Sequence, residues 1–220
     1  RPASKGADEN RVYTGDGRFT AYDSERRAGF ESDRWRLMLY DRASKRATEL
    51  LPTWDRNADA VTFMPDMSGV YIATTDAGRD KLYRFGLTKG AAGAVQAGKP
   101  ELVVGAHNNI AFSFSSDGRT IAWMRDATER PAEVYTASVG ASLPRGGAEA
   151  RQLTHENDAL VARLALNPAE DFWFKGAGGD SVQGFVVKPP QWESGKKYPV
   201  VLLIHGGPQG AFLDQWHSRW

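Results

Sequence analysis

The sequence has no cysteine in its 220 residues. Disulfides and thiolate zinc sites are therefore excluded, and a cytoplasmic or a periplasmic address both remain open. It also lacks an excess of either charge. With 28 Lys and Arg against 27 Asp and Glu, the net charge is +1, so no footprint for nucleic acid or an anionic membrane is visible. Long apolar runs are missing too. The longest, Val200-Val201-Leu202-Leu203-Ile204, is far short of the roughly 20 residues of a membrane helix. The opening Arg1-Pro2-Ala3-Ser4-Lys5 has neither an initiating Met nor the apolar core of a signal peptide. Both ends are expected to be cuts inside a larger polypeptide. The address of that polypeptide is unknown, with periplasmic or secreted favoured over cytoplasmic. The four histidines, His107, His155, His205 and His217, stand at no metal-ligand spacing, so neither a metal nor any other cofactor is expected.

What is present is a repeat. Its unit is a short strand, a tight turn and a strand of aromatic and β-branched residues. The first copy is Val12-Tyr13-Thr14, Gly15-Asp16-Gly17, then Arg18-Phe19-Thr20-Ala21-Tyr22. A second runs over residues 60–73 through Pro65-Asp66-Met67-Ser68-Gly69, and a third over residues 110–123 through Ser116-Asp117-Gly118. Asp-Gly between alternating apolar runs marks a hairpin, because glycine accepts the positive φ that the turn requires. Each copy continues into a strand carrying Tyr40, Tyr83 or Tyr135, then into a closing strand at residues 47–51, 100–104 or 151–154. Taking Gly17, Gly69 and Gly118 as the turn glycines, the copies stand 52 and 49 residues apart (17 to 69, 69 to 118). Four strands at such a period are the signature of β-propeller blades; an ordinary antiparallel sandwich is the competing reading. Three blades cannot close a ring, so others are expected upstream. The Gly/Ala-rich stretches 90–98 and 140–150 read as long flexible loops.

After Thr154 the pattern changes. Residues 155–169 read as a crossing between domains, and residues 170–220 as the start of an α/β domain. Phe172-Trp173-Phe174-Lys175 and Val182-Gln183-Gly184-Phe185-Val186-Val187 are expected strands around a glycine turn, the second ended by Pro189-Pro190. Residues 200–204 do not alternate, which predicts a strand covered on both faces. That strand runs into His205-Gly206-Gly207-Pro208. In α/β-hydrolases the loop after such a strand supplies one backbone N–H of an oxyanion hole, and its glycines let the backbone approach the reacting carbonyl.

The run Lys197-Tyr198-Pro199-Val200-Val201-Leu202-Leu203-Ile204-His205-Gly206-Gly207-Pro208-Gln209-Gly210 resembles the start of the catalytic domain in the prolyl oligopeptidase family. The likeness is to its acylaminoacyl-peptidase and bacterial dipeptidyl-peptidase branch. Phe30-Glu31-Ser32-Asp33-Arg34 and the residues 152–158 resemble the propeller and crossing of that branch. The resemblance implies a mixed fold: all-β propeller blades over residues 1–154, then the first strands of an α/β-hydrolase. It implies a serine peptidase that hydrolyses short peptides through an acyl-enzyme, of dipeptidyl- or acylaminoacyl-peptidase type. Gly207 matches the glycine whose N–H faces the oxyanion, with His205, Gly206 and Pro208 forming its loop. Expected partners are the peptide substrate, the remaining segments of the same protein and a second copy in a homo-oligomer. Nucleophile, acid and base are absent from the chain. No G-x-S-x-G elbow occurs, and the near matches around Ser138 and Ser142 fall at a blade edge.

Between two strands of the first repeat stands a cluster of charge: Asp23, Glu25, Arg26, Arg27, Glu31, Asp33 and Arg34. A dipeptidyl peptidase needs a carboxylate for the free α-amine of its substrate. Glu25, Glu31 and Asp33 are the candidates, against an ordinary salt-bridge network. The alternative function is a propeller that binds proteins without catalysis, for which the residues 205–208 would be a pointless appendage.

Overall fold

The computed structural model describes residues 6–90, 93–139, 148–207 and 209–218. Twelve of its strands form three four-stranded antiparallel meanders. Blade 1 comprises β1 (Asp8–Tyr13), β2 (Phe19–Ser24), β3 (Arg36–Asp41) and β4 (Arg46–Glu49). Blade 2 comprises β5 (Ala60–Phe63), β6 (Gly69–Asp76), β7 (Arg79–Lys89) and β8 (Val95–Val104). Blade 3 comprises β9 (Asn108–Phe114), β10 (Thr120–Ala127), β11 (Arg130–Ser138) and the short β12 (Arg151–Gln152). Each strand pairs with its neighbour in sequence, so every blade is built from hairpins alone. These are propeller blades.

The period of two along β6 explains how the blades stack. Val70 and Ile72 face blade 1 and pack with Phe19, Leu37 and Leu39, whereas Tyr71, between them, packs with Ile121, Trp123 and Tyr135 of blade 3. Successive strand side chains point to opposite faces, so the middle blade contributes to two cores at once. Trp123 is 1% exposed and lies roughly parallel to Phe112 and Tyr135, at 6.2 and 6.1 Å between ring centroids.

The tight turns differ from the sequence expectation at one position. Asp16, Asp66 and Asp117 each accept the N–H two residues on, at 3.0, 2.9 and 3.0 Å. The left-handed residue after each is Gly17, Met67 and Gly118, at φ 66°, 59° and 68°. Met67, not Gly69, is therefore the counterpart of Gly17, and the spacing is 50 and 51 residues (17 to 67, 67 to 118). Met67 is buried in the core between blades 1 and 2. That burial offsets the roughly 1 kcal/mol that a side chain costs at positive φ. Gly69 is in a tight place for another reason. A Cβ there would stand 3.2 Å from both the Met64 sulfur and the Phe85 carbonyl oxygen.

The stretch 90–98 is also not the long loop expected. Strand β7 continues to Lys89, Gly90 N–H donates to the Ala94 carbonyl at 2.7 Å, and β8 begins at Val95. Leu87, Val95 and Ala97 alternate onto the core between blades 1 and 2, a pattern that the local richness in glycine and alanine disguised. Of the other expected loop, residues 140–147 lie outside the described residues.

Beyond β12 the chain is tied back to blade 3. Glu133, 2% exposed, accepts bonds from the Thr154 hydroxyl and, at 2.8 and 2.9 Å, from the Asn157 N–H and side-chain amide. Burial alone would raise its pKa, but these donors outweigh that and hold the carboxyl below its ordinary range. A single helical turn, α1 (Asp158–Val161), leads to a separate hairpin of β13 (Ala169–Lys175) and β14 (Ser181–Val187). Among the described residues no helix is long and apolar enough to cross a membrane.

Candidate functional site

The chemistry expected of the chain lies in residues 200–207, and here the structure departs furthest from the sequence reading. Residues 200–204 form no ladder with any described strand. Val200 is 90% and Leu203 62% exposed, and the three other residues of the run lie between those values. The doubly covered strand is therefore not formed among the described residues. The reason is physical: such a strand needs a neighbour on each edge and a layer on each face, and no described element stands in those places.

Gly207 has φ +70° and no atom within 4 Å of where a Cβ would stand. Conformation rather than space calls for glycine at this position. His205 meets the Phe212 ring edge-on at 6.1 Å, and its Nδ1 lies 3.4 Å from the Gly206 carbonyl oxygen. Pro208 is outside the described residues.

The segment after the loop is fastened to the blades. Asp214, 3% exposed, accepts at Oδ1 from the backbone N–H and hydroxyl of Thr128, at 3.1 and 3.0 Å. Its Oδ2 lies 3.2 Å from His107 Nδ1 and 3.6 Å from Arg79 Nε. Its own N–H donates to the Gly78 carbonyl at 2.9 Å, and Trp216 N–H reaches Asp126 Oδ2 at 3.2 Å. Burial would raise the pKa of Asp214, but the bonds from His107 and Thr128 prevail and it is lowered from the ordinary 3.8. The carboxylate is therefore ionised at neutral pH, and what it contributes is lost only as pH falls through that depressed value.

The receiving surface is built from hairpin tips. Ala77 and Gly78, at φ 51° and 67°, make the two-residue primed turn between β6 and β7. The β13–β14 hairpin lies on this turn as well. Gln183 donates to the Ala77 carbonyl at 3.1 Å, and a Cβ on Gly78 would collide with the Phe185 ring at 2.6 Å. Arg79 forks onto Asp171 with bonds of 3.0 and 2.9 Å, its guanidinium 5.3 Å from the Phe185 centroid. Behind His107, Asn109 is almost wholly buried. It donates to the carbonyls of Asp80, Ala106 and His107 and accepts from Trp123 Nε1 and Arg125 Nε.

The expected amine-anchoring carboxylates are not assembled into one site. Both oxygens of Asp33 are taken: Oδ1 by the Arg27 guanidinium at 3.0 and 2.6 Å, Oδ2 by the N–H groups of Arg26 and Arg27 at 3.1 and 2.7 Å. The Arg27 side chain is the main cause that lowers its pKa. Glu31 is exposed, while Glu25 is buried. The adjoining cleft, about 440 Å³, is lined by Asp33, Trp54 and Asp55 and also by Arg26, Arg34 and Arg36, but by neither Glu25 nor Glu31. Arg26, Arg34 and Arg36 all converge on Glu49. Among the described residues no group of three His, Asp or Glu side chains could hold a metal.

Sequence reasoning missed Asp214, Arg79 and Gln183. Nothing local to the turn Asp76-Ala77-Gly78-Arg79 says that a segment more than a hundred residues later rests on it.

No protein-family model matches the chain. Among curated proteins it is 31% identical over 215 residues to dipeptidyl-peptidase 5 of Porphyromonas gingivalis. It is 30% identical over 216 residues to a probable dipeptidyl-peptidase 5 of Emericella nidulans. Each alignment takes in 98% of this chain and 29% of the relative, so the chain spans under a third of these relatives' length. Among solved structures it superimposes on the acylaminoacyl peptidase of Pyrococcus horikoshii with a TM-score of 0.68. That match has 21% identity and covers 94% of this chain and 29% of the other. Dipeptidyl peptidase 4 of Porphyromonas gingivalis gives 0.59 at 19% identity, over 96% of this chain and 28% of the other. At such identities the structural matches speak for the fold alone.

Proposed function

We propose that the chain belongs to the prolyl oligopeptidase family, as propeller blades followed by the start of its catalytic domain, and that the whole protein is a serine peptidase acting on short peptides. The observation that carries the proposal is the 31% identity to a dipeptidyl-peptidase 5 along 98% of the chain. The run through His205-Gly206-Gly207 adds to it. Residues 1–154 are propeller blades, residues 155–169 the crossing, and residues 170–220 the first part of the catalytic domain. The Gly207 N–H is one donor of the oxyanion hole. It stabilises the negative charge that develops on the carbonyl oxygen as a nucleophile attacks, and a donor acting there accelerates the chemical step. Its partner donor, the nucleophile, the base and the orienting acid come from outside these 220 residues. Dipeptidyl release is the preferred activity, since both curated relatives are named as dipeptidyl peptidases.

The test uses the full-length protein with free-amine dipeptidyl nitroanilides and with N-acetylated aminoacyl nitroanilides, then a fluorophosphonate probe. Release from the free-amine series and labelling of a serine beyond residue 220 are expected. Preference for the N-acetylated series would change the class to acylaminoacyl peptidase. Labelling of Ser138 would overturn the reading of the active site, and no hydrolysis of either series would favour a purely protein-binding propeller.

A further inference from the structure

Asp214 is a heavily bonded buried carboxylate at the junction between the blades and the last described segment, and the peptidase chemistry gives it no task. Its acceptors and its N–H engage three separate loops of two blades. Gly78 and Arg79 belong to the β6–β7 tip, His107 to the β8–β9 loop, and Thr128 to the β10–β11 tip. Two of those loops are themselves braced. Asn109 fixes the carbonyl of His107, and the primed turn fixes Gly78. A carboxylate gripped in this way defines a position more sharply than an apolar contact, because each bond has its own direction.

The chain between Asp214 and the oxyanion loop is short and folds back on itself. Phe212 lies edge-on to His205, and a Cβ on Gly210 would stand 3.5 Å from the Gly206 carbonyl oxygen. The side of Gly207 where a Cβ would stand faces open space. The restraint on its orientation therefore has to come along the chain.

We propose that Asp214 is a positioning residue, through which blades 2 and 3 set the orientation of the oxyanion loop around Gly207. This rests on the peptidase reading. It makes the propeller part of the catalytic geometry. Arg79 and His107 are the cationic or titratable donors that face Asp214, while Asp126 and Asp171 are the nearby acids that oppose its charge.

The experiment compares the full-length enzyme with Asp214→Asn, Asp214→Ala and Asp214→Glu by steady-state kinetics and by hydrogen–deuterium exchange. In Asp214→Asn, amides over residues 205–216 are expected to exchange about tenfold faster, with those of the blade strands unchanged. The same variant should lose about tenfold or more in kcat, with KM within threefold, as for a donor misplaced in the transition state. Asp214→Ala should match or exceed it, and Asp214→Glu should recover part of the loss. Thr128→Val removes one donor while keeping the carboxylate, and should shift both readouts the same way by about two- to fivefold. Unchanged exchange over residues 205–216 would overturn the proposal. So would a fall in kcat that merely tracks a lower melting temperature of the blades. If the wild type hydrolyses no peptide, the peptidase reading fails by itself, and the exchange data still decide whether Asp214 holds the loop.

Discussion

The blades and the last described segment carry apolar residues in opposite circumstances. In blade 2, Val70, Tyr71 and Ile72 are completely buried, whereas the most continuous apolar run of the chain, residues 200–204, is exposed throughout. A meander of hairpins completes its own pairing within about fifty residues, so a blade can bury its apolar face with nothing but its neighbours. A central strand of an α/β sheet depends on elements far along the chain. Hydrophobicity along the sequence therefore says that a segment must be covered, not that its cover is close at hand.

The sharpest way to break this contrast is to truncate one side chain on each side of it. Trp123→Ala should destabilise this chain by about 3–5 kcal/mol through the cavity left between Phe112 and Tyr135. Leu202→Ala, at a residue 78% exposed, should change it by less than about 0.5 kcal/mol. In the full-length protein the same Leu202→Ala should cost about 2–5 kcal/mol. Denaturant titration of both forms decides it, and equal effects of Leu202→Ala in the two would remove the buried-strand reading.

Next in size is the chemical step. Gly207→Pro in the full-length protein deletes the proposed oxyanion donor and should lower kcat by about 100-fold or more, with a smaller change in KM. An unchanged kcat would take Gly207 out of the mechanism.

A smaller effect probes the seam between the two regions. Gly78→Ala sets a side chain at φ +67° and against Phe185, which should cost about 1–3 kcal/mol. The loss should appear first as loosening of the β13–β14 hairpin by hydrogen exchange. Loosening of blade 2 alone would mean that the hairpin does not rely on that turn.

The smallest concerns a blade carboxylate. Burial is the main cause that raises Asp23 to about 6, helped by Asp59 and Glu9 and opposed by the bond from Asn10 at 2.9 Å. The folded state thus holds this proton more tightly than the unfolded chain, so stability falls as pH rises from about 4 to about 6 and then levels off. Asp23→Asn should therefore stabilise the chain by about 1–2 kcal/mol at about pH 7.5 and by much less at about pH 4. An equal gain at both values would show that charge burial is not the cause.

Much of the blade architecture was legible because its causes are local. Alternation marked β6 and β10 and Asp-Gly marked the turns of blades 1 and 3, while Tyr83 and Tyr135 marked the third strands. Met67 was not legible as a left-handed residue, since its compensation is burial against another blade. The strand at residues 95–98 was hidden by the glycine and alanine around it. The reading of His205, Gly206 and Gly207 comes from the residues alone, whereas the pairing of Asp33 with Arg27 is visible only in the folded chain.

Residues close together in the chain were enough to specify the four-stranded hairpin units. These rest on short-range turn chemistry and alternation, which a linear reading can follow. Tertiary structure alone decided that β6 serves two cores and that Asp33 is bound by Arg27. It also decided that Asp214 is held by three loops of two blades. Those outcomes depend on which distant groups meet, and a buried carboxylate is tolerated only where its donors are already in place.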